Sequence, residues 1–237
     1  AAGRLTMLQL DVTNASHVDA AAAMVLRSLR AWRVPLVGIV HSAGIAPGGQ
    51  LADFSEAAAR RVLGVNLLGP LALTHALLPA LATCRGRIVF VSSMAAMFAA
   101  PTQLLYAASK GGLEAAADAI RRDAHAWGGH VSVVQPGSIG GGMSKMCDNA
   151  LICNMPPSRT STPAILHALL GANPTARYPV GPVSRPLFGV LQIPAWVALL
   201  VARPIPDWLL DGLLRLLQHP LHGGLAPART LAPWWDP

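Results

Sequence analysis

Four short apolar runs, each closed by a polar or glycine stop, divide the first 137 residues: "LTMLQLDV" (5–12), "PLVGIVHSAG" (35–44), "GRIVFVSS" (86–93) and "GHVSVVQPG" (129–137). Runs that are apolar at consecutive positions and bounded by Gly, Pro or Asp predict strands buried on both faces. The stretches between them carry helical spacing instead. Ser16 and Asp19 have the spacing of a capping box before an Ala-rich helix that reaches about Trp32. A second helix is predicted over about 55–83. Asn66 lies within it, followed by Gly69 and Pro70, where a proline removes an intrahelical hydrogen bond and invites a kink. A third, over about 103–127, places Leu105, Leu113, Ala116, Ile120 and Trp127 where they can supply a buried stripe.

Apolar strands alternating with helices call for an α/β fold with a doubly wound parallel sheet, covered on both faces. Ligands of such sheets sit outside the carboxyl ends of the strands. Asp11, residues 41–44, Ser92, Ser93, Pro136 and Gly137 are therefore expected along one rim. Residues 1–145 read as this core, with glycines at 140–142 near its end, and 146–175 as a loop region over the substrate that includes a polar, Pro-containing, mobile stretch around 154–163. Residues 176–237 read as a helical, apolar extension. Within it, 186–202 carry no charge, but Pro194 interrupts them and their length favours a buried or amphipathic helix over a membrane span.

The chain has 237 residues, 53% of them hydrophobic and 12% charged, which suits one sizeable core. A net charge of +7 would change this picture only if it were clustered. The arginines are scattered, and no RNA-binding or zinc-finger signature is present, which argues against nucleic acid. What remains is attraction to a phosphorylated cofactor or an acidic lipid surface. Cys84, Cys147 and Cys153 form neither a CxxC pair nor an even set, favouring a reducing compartment or inert buried thiols; the expected location is the cytoplasm or the cytoplasmic face of an intracellular membrane. His41, His75 and His125 lack metal spacing, so no metal is expected. The first residues lack the pattern of a signal peptide, and a start at Ala1 reads as a cut.

The chemistry centres on "YAASK" (106–110). With two tyrosines and two lysines in the chain, chance sets a Lys four residues after a Tyr about 2% of the time, so the pair alone is suggestive but not specific. Its physical use is clear. A phenol with an ordinary pKa near 10 gives up its proton reluctantly, and an ammonium one helical turn away is expected to lower that value by about one to three units. A serine hydroxyl at the neighbouring strand end would orient a carbonyl or alcohol by hydrogen bonding.

Six pieces in order, "LDVT" (10–13), "HSAG" (41–44), "VNLLGP" (65–70), "GRIVFVSS" (86–93), "YAASK" (106–110) and "VQPG" (134–137), resemble the short-chain dehydrogenase/reductase family over nearly the whole chain. The resemblance implies a Rossmann-like fold and NAD or NADP as cofactor. Ser93, thirteen residues before Tyr106, would position the reacting oxygen, Tyr106 would be the general acid/base, Lys110 would hold the nicotinamide ribose, and Asn66 would support a proton-relay water. Asp11, Val12, Ala43, Gly44, Pro136 and Gly137 would line the cofactor together with Tyr106 and Lys110. The stretches 111–137 and 176–215 look most like the retinol and hydroxysteroid dehydrogenase branch, which implies an apolar alcohol or ketone substrate. Membrane-surface association and homo-oligomers are compatible with the same reading.

The departures define an alternative. No TGxxxGxG turn precedes Asp11, so the first βαβ unit is expected to be missing; "HSAG" replaces Asn-Asn-Ala-Gly, and "SIGGG" (138–142) lacks the expected threonine. The second reading is thus a truncated pseudoenzyme acting as a partner-binding or membrane-surface protein. A serine hydrolase is disfavoured, since no GxSxG elbow surrounds Ser93.

Overall fold

The computed structural model describes residues 5–137 and 161–180. In chain order the elements are α1 (Ala15–Trp32), β1 (Gly38–His41), a 3-10 turn (Leu51–Asp53), α2 (Glu56–Leu63), a π-helical segment (Gly64–Leu68) and α3 (Gly69–Thr83). There follow β2 (Arg87–Val91), a second 3-10 turn (Met94–Ala96), α4 (Leu104–Ala124), a third 3-10 turn (His125–Trp127), β3 (His130–Pro136), α5 (Ser161–Leu170) and β4 (Arg177–Val180). The four strands form one sheet in the order β1-β2-β3-β4. All pairs are parallel, with Val40 opposite Val89, Phe90 opposite Val133 and Val134 opposite Tyr178.

Alternation along the strands sorts the core into two faces. Ile88, Phe90, Val131 and Val133 meet Ala22 of α1, Leu77 and Leu81 of α3, and Leu113, Ala117 and Ala124 of α4. Val89, Val134 and Val180 meet Ala168 of α5 on the opposite face. Both faces are covered, as the unbroken apolar strands require. Each fully buried side chain of the size of Phe90 or Leu81 contributes about 1.5–3 kcal/mol. By length and hydropathy alone Glu56–Thr83 could cross a membrane, yet Leu77 and Leu81 of this stretch are core residues.

Several expectations need correction. Residues 5–12 form no strand, and Leu5 and Met7 are 86% and 82% exposed. A strand requires a partner, and this run lies in no ladder among the described residues, so apolarity alone leaves it extended. Its end forms a turn, in which Asn14 N donates to the Asp11 carbonyl at 3.1 Å. The cap of α1 is Asn14, not Ser16: Asn14 Oδ1 accepts from Ser16 N at 3.0 Å and His17 N at 3.3 Å, and the Ser16 hydroxyl donates to the same oxygen. In the α4 stripe, Leu113 is buried and Ile120 and Trp127 pack on the core, while Ala117 takes the deep position expected of Ala116. In the carboxyl-terminal part, 161–170 of the expected loop region 146–175 form α5, and 177–180 of the expected helical region 176–237 form β4. Residues 146–160 and 181–237 of those two stretches lie outside the described residues.

The expected helix over 55–83 has Ser55 as its cap and Thr83 as its last residue, but it is three pieces. Pro70 has no N–H to offer the Asn66 carbonyl four residues back. The distortion falls just before it: Gly69 N donates to the Gly64 carbonyl five residues back, closing the π turn.

At Gly69 the helix passes directly over the turn that follows Asp11. A Cβ there would stand 2.7 Å from Val12 Cβ and 2.8 Å from the Val12 carbonyl oxygen. Helix propensity alone favours alanine at this position by about 1 kcal/mol. Overpacking against a backbone atom reverses the sign, so Gly69→Ala should destabilise the protein by about 1–3 kcal/mol in urea unfolding. Equal or greater stability of the variant would show that the Val12 turn does not pack there.

Candidate active site

Parallel pairing sets His41, Val91 and Pro136, the last residues of β1, β2 and β3, on one rim, as the strand stops lead one to expect. Helix α4 runs along that rim and presents Tyr106, Lys110 and Glu114, four residues apart on one face and 8%, 3% and 5% exposed. Three consecutive residues leaving β2 meet them one by one. The Val91 carbonyl accepts from Lys110 Nζ at 2.8 Å, Ser92 Oγ donates to Glu114 Oε1 at 2.9 Å, and the Ser93 side chain hydrogen-bonds with the Tyr106 phenol. Ser93 Oγ also accepts from Ala95 N at 3.1 Å, which caps the short turn after it and fixes its direction.

Burial governs the electrostatics of this group. It pushes the Tyr106 phenol above its ordinary value, with the Ser93 hydrogen bond pulling the other way, and it lowers Lys110 to about 8. The lysine therefore does not depress the phenol as its place in the sequence suggests. Its Nζ stands 5.9 Å from the ring centroid and is engaged by the Val91 carbonyl, while desolvation favours the neutral form of both groups.

Asn66 is fully buried in the π segment. Its Oδ1 accepts from Ile45 N at 2.8 Å and its Nδ2 donates to the Ile45 carbonyl at 2.9 Å and to Ser109 Oγ at 2.9 Å. Ser109 Oγ in turn donates to the Tyr106 carbonyl at 2.7 Å. The amide thus staples the loop after Gly44 to the turn of α4 that carries Tyr106.

The residues expected around a cofactor fall into two groups. Ala43 is exposed and Gly44, Pro136 and Gly137 are half-buried along the rim, where backbone can approach a ligand closely. Asp11 is exposed and braces its own turn. Its Oδ1 accepts from Thr13 N at 2.9 Å and Thr13 Oγ1 at 2.7 Å, which holds the carboxyl below the usual carboxylate range. Val12 is tied to Gly69. The donor set suits the nicotinamide ribose: a lysine ammonium has three protons, of which Val91 takes one, and the Tyr106 hydroxyl lies beside it. A glycine turn for the pyrophosphate is not found among the described residues.

Sequence reasoning missed a buried polar cluster behind this pair. Glu114 also accepts from Gln135 Nε2 at 2.9 and 3.0 Å and from Arg177 Nε at 3.4 Å, and Arg177 Nη2 binds Asp118 at 2.8 Å. To face the carboxylate with its amide N–H, Gln135 leaves its own buried Oε1 without a partner among the described residues, which costs about 1–3 kcal/mol. The available signal was Glu114 one turn beyond Lys110 on a stripe that should have been apolar.

His41 has the structural role expected of it. Its ring stacks on Phe90 with centroids 5.0 Å apart, its Nε2 pairs with Thr74 Oγ1 at 2.8 Å, and burial lowers its pKa from 6.5 to about 4. The unfolded chain therefore takes up this proton first, so the contribution is intact above about pH 6.5 and is lost as pH falls towards 4. The loss from this residue should be about 3 kcal/mol. His41→Asn should flatten the acid side of the stability curve measured by denaturant unfolding between pH 7 and 4. An unchanged acid slope would show that His41 is not neutral and buried in the fold.

Comparison with known proteins bears on this geometry. The family model for short chain dehydrogenase matches residues 1–150. The chain is 36% identical over 136 residues to mitochondrial D-beta-hydroxybutyrate dehydrogenase of Rattus norvegicus, covering 57% of this chain and 40% of the relative. It is 40% identical over 138 residues to retinol dehydrogenase 5 of Mus musculus, covering 58% and 42%. The chain thus aligns with about two-fifths of the length of these relatives. A short-chain oxidoreductase of Brucella ovis, solved in complex with a partially ordered NAD, superposes with a TM-score of 0.52 at 28% identity over 55% of this chain and 61% of that one. With the serine, tyrosine and lysine at one strand end and the family match over more than half its length, the chain belongs to the short-chain dehydrogenases.

Proposed function

We propose that the protein is an NAD- or NADP-dependent oxidoreductase that interconverts an apolar secondary alcohol and its ketone, or the corresponding primary alcohol and aldehyde. The observation that carries this reading is the docking of residues 91–93 on Tyr106 and Lys110, which puts a hydroxyl, a phenol and an ammonium around one point of the rim. A substrate oxygen placed between Ser93 and Tyr106 would accept a hydrogen bond from each. When bound, the nicotinamide supplies or takes up the hydride. Tyr106 moves the accompanying proton: burial keeps the phenol in its donor form at neutral pH, and as charge grows on the substrate oxygen the O–H bond breaks towards it. Lys110, with protons left over from Val91, would hold the nicotinamide ribose beside the phenol. Asn66 Oδ1 keeps one lone pair for a relay water that returns the proton. In the oxidative direction the same atoms run in reverse.

One feature supports an apolar substrate: a relative is named for retinol. The cysteine pattern supports a reducing compartment, the cytoplasm or the cytoplasmic face of an intracellular membrane, whereas the rat relative's name gives that protein a mitochondrial location.

NADH or NADPH should quench tryptophan fluorescence and raise the melting temperature. Tyr106→Phe should cut turnover about 10²- to 10⁴-fold while leaving that binding in place. Carbonyl reduction should also decline as pH rises through about 8, where Lys110 gives up its charge. Saturating cofactor without any change in fluorescence or melting would overturn the reading in favour of a partner-binding relative that has lost catalysis.

A further inference from the structure

The end of β2 is pinned to α4 at three consecutive residues, and the proposed reaction uses only two of the pins. The third is Ser92 on Glu114. This carboxylate is 5% exposed and collects donors from three adjacent strand segments: Ser92 Oγ at 2.9 Å just after β2, Gln135 Nε2 at 2.9 and 3.0 Å in β3, and Arg177 Nε at 3.4 Å at the start of β4. Arg177 is anchored on the same helix by Asp118, at 2.8 Å and one turn further on.

A buried carboxylate is a poor choice if stability is the only requirement. Removing it from water is costly even when every donor is in place, and well-packed apolar residues at such sites are often as stable or more so. What a carboxylate provides is direction, because several donors must converge on two oxygens. Here the convergence fixes the distance of α4 from the sheet at a point peptide-bonded to Ser93 and one turn from Lys110. A slide of α4 along β2 would break all of these bonds at once, and with them the Ser93 to Tyr106 contact.

We propose that Glu114, held by Ser92, Gln135 and Arg177, is a positioning residue that sets the separation of Ser93 from Tyr106 and Lys110. Its effect on turnover rests on the oxidoreductase reading, whereas its effect on geometry does not. Glu114→Gln keeps the size of the side chain but turns an N–H2 towards groups that are themselves donors. At least one of Ser92, Gln135 and Arg177 then loses its acceptor.

The test uses the full 237-residue chain with tyrosine labelled by ¹³C at Cζ. The chain has only two tyrosines, so two signals are expected. Tyr178→Phe assigns them, and Ser93→Ala marks where the Tyr106 signal falls when its serine partner is gone. Glu114→Gln should move the Tyr106 signal towards that mark. A Tyr178 signal kept at its folded position, where Thr175 N and His167 hold the phenol, reports that the fold persists. Turnover should fall about 10- to 100-fold with the KM for cofactor nearly unchanged, the signature of misplaced reacting groups. An unmoved Tyr106 signal in the folded variant overturns the proposal, and so does a moved signal with unchanged kcat. If Glu114→Gln does not fold, Ser92→Ala removes one donor, leaves Gln135 and Arg177 in place, and is judged by the same two outcomes. Absence of turnover in the unsubstituted chain with NADH, NADPH and a ketone would overturn the oxidoreductase reading instead, and the Tyr106 signal would still decide whether Glu114 positions it.

Discussion

A lysine ammonium with almost no access to water must find an oxygen, and Lys110 finds the carbonyl of Val91. The rest of the rim depends on this bond. It can form only if α4 crosses the carboxyl end of β2 at close range and in one register, which brings the Tyr106 turn of the same helix face over Ser93. It can be supported only if β2 ends where it does, and the parallel ladder to β3 continues past Val91, with Ser92 N donating to the Val134 carbonyl at 2.8 Å. Core packing brings α4 to the sheet, but packing alone tolerates small slides. A buried charge with a single backbone acceptor does not.

The second constraint is a defect. A regular helix through residues 55–83 would have left the Asn66 carbonyl facing a proline that cannot donate to it. The π turn over Gly64–Leu68 absorbs the mismatch, and within it Asn66 grips both the backbone of Ile45 and, through Ser109, the Tyr106 turn. Glycine at 69 lets the Val12 turn press against the start of α3. One irregularity in a helix thereby joins the "LDVT" turn, the loop after "HSAG" and the helix of "YAASK", three pieces far apart in the chain.

Much of this was legible in the sequence. The runs over 35–44, 86–93 and 129–137 contain β1, β2 and β3 because continuous apolarity between glycine stops leaves few alternatives, and the helical stretch expected over about 55–83 is capped by Ser55 and ends at Thr83. The spacing of Ser93, Tyr106 and Lys110 specified the group that the rim brings together. Other features were hidden for physical reasons. The run over 5–12 has the composition of a strand, but composition cannot supply the neighbouring strand that defines one. Asn14 and Ser16 are both able to cap α1, and only the path of the turn from Asp11 decides between them. Adjacency in sequence suggested that Lys110 would lower the Tyr106 pKa, yet the outcome depends on depth, which periodicity does not report. Glu114 was overlooked because an acidic residue on a helix reads as surface until its donors on three strands are in view.

Among the described residues the sheet contains no hairpin. Val40 pairs with Val89, Phe90 with Val133 and Val134 with Tyr178, so every ladder joins residues more than forty positions apart. Loop closure of that kind must be completed before any ladder bond rewards it, which gives a chain of high contact order and slow folding. The serine, the tyrosine and the lysine all lie in the connection between β2 and β3, so the ladder that closes this one crossover is also what lays α4 over the strand end carrying the serine. The geometry of the site therefore forms with that single crossover and needs neither β1 nor β4 to define it.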